Sequence, residues 1–320
     1  MNSKLTKLAT AGFLWLCGAA PALAASVTQP GETVGLNAGT PLAPGWYAIN
    51  TVDWGCRNTN SAVGHKTCTG LTIPVVAWST PWTFWGARFQ LLAAWPAVEA
   101  GVQRSLSVNP DLNLPGTYFN GMYNPAVFGQ LAWDLGYGWG FSYLLGAYFD
   151  YHSPVAWSDT SLNQRFALSY TANDWAATAN VIWGIHTSSV TDRPQLSACP
   201  APVFPTTGIP IQGCNPNFIN VDLTVGHSFG KWQVAWVGFY SSDLNEPVLG
   251  YQKQSQFAMG GLLGYDFGPV VLQGWLTSDV YEKNYGGKDV RGWVRVVLPL
   301  NVAGAPFGPS APATMVRGSR

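Results

Sequence analysis

From Gly45 to Leu300 the chain repeats one pattern, segments of about ten residues in which apolar and polar side chains alternate. In 217–229, Ile219, Val221, Leu223 and Val225 point one way, and Asn220, Asp222, Thr224 and Ser228 the other. In 175–187, Ala177, Ala179, Val181, Trp183 and Ile185 oppose Thr178, Asn180 and His186. Near the end, Val290, Val294, Val296 and Leu298 oppose Arg291 and Arg295. Successive strand residues point to opposite faces, so a period of two describes a strand with one apolar and one polar face. The sequence predicts twelve such strands, at 45–54, 71–80, 86–97, 125–136, 140–151, 162–172, 175–187, 217–229, 231–241, 254–267, 269–283 and 289–300. Ten and fourteen are the neighbouring counts.

A soluble β-sandwich would also alternate, and the connections separate the two architectures. Turns are tight near Pro81, at 136–140, at Asn173-Asp174, at Gly230-Lys231 and at Gly268-Pro269. The intervening connections are longer and polar, the longest running over Ser188–Pro216. Strict short and long alternation describes an up-and-down meander with every long loop at one end, the arrangement of outer-membrane barrels. Trp82, Phe84, Trp85, Tyr137, Trp139, Trp175, Phe229, Trp232 and Phe267 crowd the tight-turn end, where an interfacial girdle belongs. An even strand count returns both chain ends to that side and leaves no unpaired edge in lipid. The fold class is therefore an all-β transmembrane up-and-down antiparallel barrel.

Composition agrees. Only 10% of the 320 residues are charged, against roughly 25% in ordinary soluble domains. Aromatic residues reach 14%, which excludes disorder. Sixteen basic residues face sixteen acidic ones, so no nucleic-acid partner is expected. Lys4 and Lys7, the apolar run Leu8–Ala20 and the small residues of Ala22-Leu23-Ala24 make residues 1–24 an expected signal peptide. Leu16 before Cys17 argues against a lipid-attachment site. Residues 25–44 then form a periplasmic N-terminal segment that could enter the barrel, 45–300 the barrel, and 301–320 a flexible Pro/Gly/Ala tail. Cys56, Cys68, Cys199 and Cys214 remain. Of three connectivities, neighbour pairing (Cys56 with Cys68, Cys199 with Cys214) closes two small loops. Their spacings of 11 and 14 intervening residues match no common zinc pattern, and no metal or other cofactor is expected.

The strand Pro44-Gly45-Trp46-Tyr47-Ala48-Ile49-Asn50 resembles the first strand of a bacterial family, the putative MetA-pathway of phenol degradation family. The likeness continues through the Gly230-Lys231-Trp232 turn into Trp236-Val237-Gly238-Phe239-Tyr240, through Gly264-Tyr265-Asp266-Phe267-Gly268-Pro269, and into Gly292-Trp293-Val294. The resemblance implies a signal-peptide-bearing outer-membrane barrel, a porin-like route for aromatic or other hydrophobic compounds. It transfers no substrate site. Ser241-Ser242 replaces a Gln common in the family, and the chain lacks an aromatic last-strand terminus.

Parity opposite to the lipid face gives the expected lumen: Arg88, Gln90, Gln130, Asp134, Asp150, Asn163, Arg165, Asn180, Asp222, Gln256, Gln273, Asp279, Arg291 and Arg295, with Leu144 and Tyr148 as large inward residues. Opposed charges there would either set up a transverse field or pair and brace the wall. Ser188–Pro216, with six prolines, is a candidate lid or cap. The expected function is a channel for passive uptake of small hydrophobic or aromatic solutes, with outer-membrane lipid and lipopolysaccharide as surroundings. A closed structural barrel and a lipid hydrolase are the alternatives. An enzyme is not expected. Among His65, His152, His186 and His227 none has an assignable serine partner, and no Gly-x-Ser-x-Gly elbow occurs.

Overall fold

In the computed structural model of the chain, the described residues are 26–59, 63–106, 109–151, 153, 155–156, 159–187, 215–247 and 251–302. The expected signal peptide, the Cys199/Cys214 pair, His152 and the tail beyond 302 lie outside them. The β-segments are β1 (Gly45–Thr59), β2 (Val63–Phe84), β3 (Ala87–Ala94), β4 (Ala97–Leu106), β5 (Asn109–Met122), β6 (Ala126–Gly136) and β7 (Trp139–Tyr148). They continue as β8 (Ser161–Ala172), β9 (Trp175–His186), β10 (Phe218–Phe229), β11 (Trp232–Asp243), β12 (Ser255–Asp266), β13 (Val271–Lys283) and β14 (Asp289–Val302).

All pairings are antiparallel. β2 pairs with β3 along its lower part and with β4 along its upper part, while β3 pairs with β6 and β4 with β5. β3 and β4 are thus one stave broken at Trp95-Pro96, and β5 and β6 one stave broken at 123–125. Because β1 pairs with both β2 and β14, the sheet closes on itself as a barrel of twelve staves. Closure satisfies every stave on both sides, which a sheet in hydrocarbon requires.

Three prolines mark where one wall leaves the barrel. Pro74, Pro96 and Pro125 have no N–H to donate, yet their carbonyls accept from Trp95 N at 3.1 Å, Tyr123 N at 2.8 Å and Phe149 N at 2.8 Å. The ladder therefore crosses the break without losing its acceptors. Above it, β1, β2, β4 and β5 rise as paired arms where the sequence suggests loops over 55–70 and 98–124. Those stretches leave the bilayer, so their alternation of polarity lapses although their pairing persists. Cys56 and Cys68 sit opposite one another in β1 and β2 and form a disulfide at the base of one arm.

The outward face is apolar between two aromatic bands. Trp82, Phe84, Trp85, Tyr137, Trp139, Trp175, Phe229, Trp232 and Phe267 are all exposed at the tight-turn rim. Trp46 and Trp54, Trp175 and Trp183, and Trp232 and Tyr240 form exposed pairs eight residues apart on single staves. Eight residues span about 26 Å of strand, or about 20 Å along the normal at a tilt near 40°. The spacing fits the apolar thickness of an outer membrane. Val76, Leu145, Leu168, Val234, Leu263 and Val294 fill the interval.

Candidate functional site

The lumen holds the chain's own N-terminal segment. Residues 26–44, expected from sequence to form a periplasmic segment able to enter the barrel, run inside it from Ser26 down to the rim at Gly45. Four hydrogen-bonded turns shape the segment: Glu32 N donates to Gln29 O, Val34 N to Gly31 O, Leu36 N to Thr33 O and Thr40 N to Asn37 O. Pro30-Gly31 supplies the first, with φ near +90° at Gly31. A run of turns leaves backbone groups pointing sideways, and the wall supplies their partners.

Asp222 on β10 accepts from Gly31 N at 2.9 Å, Thr33 N at 2.9 Å and Thr33 Oγ1 at 2.6 Å. Thr224, one inward position along, accepts from Gly35 N at 2.8 Å. Asn180 donates to Thr33 Oγ1, Asn163 to Thr28 Oγ1, and Asn220 to Ser26 Oγ and Thr28 O. Gln130 and Ser142 donate to Ala38 O, and Gln273 donates to Gly35 O. Arg295 donates to Thr51 Oγ1 at 2.9 Å and to the carbonyls of Val34 and Glu32, with its guanidinium 4.7 Å from the Trp275 ring centroid. Arg165 pairs with Glu32 at 2.8 Å. At the lower end Gly39 lies against the wall so closely that a Cβ there would sit 2.6 Å from Ser169 N and 2.7 Å from Gly140 O.

A second polar cluster stands higher, where β1, β13 and β14 meet. Arg291 pairs with Asp53, and with Asp289 at 2.9 Å. Arg57 pairs with Asp279 at 3.2 Å, receives Gln256 as an acceptor at 2.6 Å, and lies 4.7 Å from the Tyr285 ring centroid. In the β11–β12 connection Tyr251 donates to Asp243 at 2.7 Å. Burial, reinforced by that neighbouring carboxylate, pushes the Tyr251 phenol up, and burial does the same to Tyr285, so both stay neutral. Arg57, Arg165 and Arg291 meet carboxylates, while Arg295 and Asp222 are held by uncharged partners. Each of these interior charges is tied down, which favours bracing over an open transverse field.

Two apolar clusters complete the interior. Val27 packs with Phe128, Leu144, Tyr148, Ile182 and Phe218. Val34 packs with Val237, Phe239, Leu262, Trp275 and Trp293 on the other side, the two indoles stacked at 5.3 Å. The N-terminal segment thus covers aromatic surface on two walls.

Of the residues assigned to the lumen by parity, Gln90, Gln130, Asn163, Asn180, Asp222, Gln256, Gln273, Asp279, Arg291 and Arg295 are buried. Arg165 is held inside by Glu32, while Arg88 donates to Thr80 O near the rim. Two of the set belong elsewhere. Asp134 is exposed and accepts from Gly136 N, capping the β6–β7 turn, because the stave has already reached the rim. Asp150 is exposed beyond the end of β7, where parity no longer assigns a face. Sequence parity omits Glu32, Asp53, Arg57 and Asp289. Thr51 and Asp53 share one parity with Arg57, and following it past Trp54 would reach Arg57.

Two histidines have defined surroundings. His227 lies between Trp175 and Phe229 in the rim girdle, with ring centroids at 4.9 and 4.6 Å. His186 Nδ1 meets Asp159 at 2.9 Å, and Ser161 is its register partner across β8 and β9. A serine therefore does stand beside His186, but its buried hydroxyl makes no hydrogen bond to the ring, so the pair lacks the contact that activates a nucleophile.

The family described as "Putative MetA-pathway of phenol degradation" matches residues 55–296. An outer membrane channel from Pseudomonas putida F1 superposes with a TM-score of 0.57 at 13% identity, covering 85% of this chain and 99% of that one. The toluene transporter TbuX from Ralstonia pickettii gives a TM-score of 0.44 at 7% identity, covering 85% and 92%. No curated protein matches. At 13% identity the likeness to the Pseudomonas channel shows a shared barrel fold.

Proposed function

Because the chain belongs to the putative MetA-pathway of phenol degradation family, we propose that it is an outer-membrane channel for passive uptake of small hydrophobic or aromatic compounds. Residues 26–44 act as its movable stopper. The observation that carries this reading is the pair of aromatic lumen walls covered by Val27 and Val34. A pore for small ions gains nothing from such surface, whereas an apolar solute moving past a displaced segment is offered contact on both sides. Twelve staves leave a bore between the filled eight-stranded and the open sixteen-stranded limits, so a short segment is enough to close it. The outward aromatic bands support a wall surrounded by lipid, with lipopolysaccharide in the outer leaflet as part of this reading.

The test is uptake of radiolabelled phenol and toluene into lipopolysaccharide-containing vesicles that enclose cyclodextrin as a trap. Vesicles bearing the protein are expected to fill faster than protein-free vesicles, and faster still when residues 26–43 are deleted. Equal rates in all three would refute the channel and leave the closed structural barrel.

A further inference from the structure

On β1 the outward positions read Trp46, Ala48, Asn50, Val52 and Trp54. Trp46 and Trp54 belong to the two aromatic bands, so Asn50 lies at the middle of the apolar interval. It is exposed, and its carboxamide has no hydrogen-bond partner among the described residues. Gln164, an outward amide on β8, is different, for it accepts from the Tyr143 hydroxyl at 3.0 Å. A free amide facing hydrocarbon is costly and rare, and at such depth polar groups usually serve a ligand or a partner.

Asn50 also opens into a recess. A cavity of about 360 Å³ on this face is lined by Ala48, Pro74, Ala93, Trp95, Val296 and Leu298 together with Asn50. Pro74 and Val296 are the direct cross-strand neighbours of Asn50. Small Ala48 and Ala93 make the floor. Trp95 is held at one side by its N–H to Pro74 O at 3.1 Å, where the stave breaks. A concave apolar site with a single polar group is the usual form of a small-molecule site.

We propose that this recess binds a monohydroxylated aromatic compound, of the phenol class, from the bilayer side of the wall. The carboxamide supplies what such a molecule needs, because its oxygen accepts from the hydroxyl and its NH2 donates back to the hydroxyl oxygen. An acyl chain would fill the apolar floor but leave Asn50 unpaired. The solute class rests on the uptake reading above, while the site itself is defined by Asn50 and the recess. A solute held there is concentrated in the membrane beside the barrel.

The experiment measures binding of 4-fluorophenol and fluorobenzene to the full chain in lipid vesicles by 19F saturation-transfer NMR. Wild type is expected to hold 4-fluorophenol about tenfold more tightly than Asn50→Leu, the loss of one amide–hydroxyl contact, with fluorobenzene binding equal in both. Ala93→Phe, which fills the floor, is expected to abolish binding of both probes. Equal 4-fluorophenol binding in wild type and Asn50→Leu overturns the proposal. So does an absence of saturable binding in wild type, the result for an acyl-chain groove, or a shift from dimer to monomer in Asn50→Leu, the result for a second copy. Phenol uptake is followed in the same vesicles. Binding at Asn50 without uptake in wild type refutes the channel but leaves the site; uptake without binding does the reverse.

Discussion

Asp222 is the strongest single hold on the stopper, and replacing it with alanine tests whether the segment is a gate or part of the wall. Its carboxylate receives two backbone N–H groups and one hydroxyl from Gly31 and Thr33. Hydrogen bonds to a charged acceptor contribute about 1.5–3 kcal/mol each, net of exchange with water. The three share one carboxylate and so do not add in full. The net loss of docking in Asp222→Ala is then about 3 kcal/mol, roughly a hundredfold rise in the ratio of displaced to seated segment. Asp222→Asn keeps the size and one acceptor oxygen and should fall between. Single-channel recording in planar bilayers reads the open fraction directly, and heat-modifiable gel mobility checks that the barrel itself is intact. An Asp222→Ala barrel that is folded and has the wild-type open fraction would refute the stopper reasoning, since no other side chain among the described residues holds three donors of the segment.

Other perturbations follow from the same geometry. Gly39→Val drives a side chain against Ser169 N and Gly140 O, backbone atoms that cannot give way, so it should raise conductance as Asp222→Ala does; unchanged conductance would mean the lower contact is slack. Cys56→Ser removes the clasp on the β1–β2 arm; about 3 kcal/mol of loop-closure stabilisation should disappear as faster proteolysis of the arm, with the membrane-spanning part still protected. Leu263→Arg puts a charge on the exposed lipid face and should cost about 2–4 kcal/mol of folding stability near the midplane, measured by denaturant titration in vesicles. A cost below 1 kcal/mol by that titration would place Leu263 outside the hydrocarbon.

Alternation and turn length made the barrel legible, because both are imposed locally. Thr178, Asn180, Asp222 and Arg295 could be assigned to the inside from parity alone, since a stave has only two faces. The ends of staves were not legible. Asp134 keeps the inward parity of Gln130, yet it caps a turn, because alternation carries no signal of where the bilayer stops. Arg57 was missed for the converse reason, as β1 continues upward past the expected strand end at 54. Asp289 shares the parity of Arg291 and Arg295 within the expected strand and was legible there. The segment 26–44 has no period at all. It could be expected to enter the barrel, but only the wall's regularly placed acceptors and donors show what it docks against.

The two faces of the wall are under different physical rules, and this decides which part of the molecule can move. On the lipid side no water replaces a lost hydrogen bond, so the β1–β14 seam and its neighbours stay shut. On the lumen side each contact to the segment trades with water and is worth about 0.5–1.5 kcal/mol net when neutral. The segment is held by many such contacts from Ser142, Asn163, Asn180, Asn220 and Gln273, together with the ion pair at Arg165. Each is individually exchangeable, and the apolar cover by Val27 and Val34 is the contribution that water does not replace. An aromatic solute can replace it, because it offers Phe128, Phe218, Trp275 and Trp293 the same kind of surface. Displacement of the stopper is therefore less unfavourable with an apolar solute present than with water alone, which couples opening to the compounds the lumen walls are suited to pass.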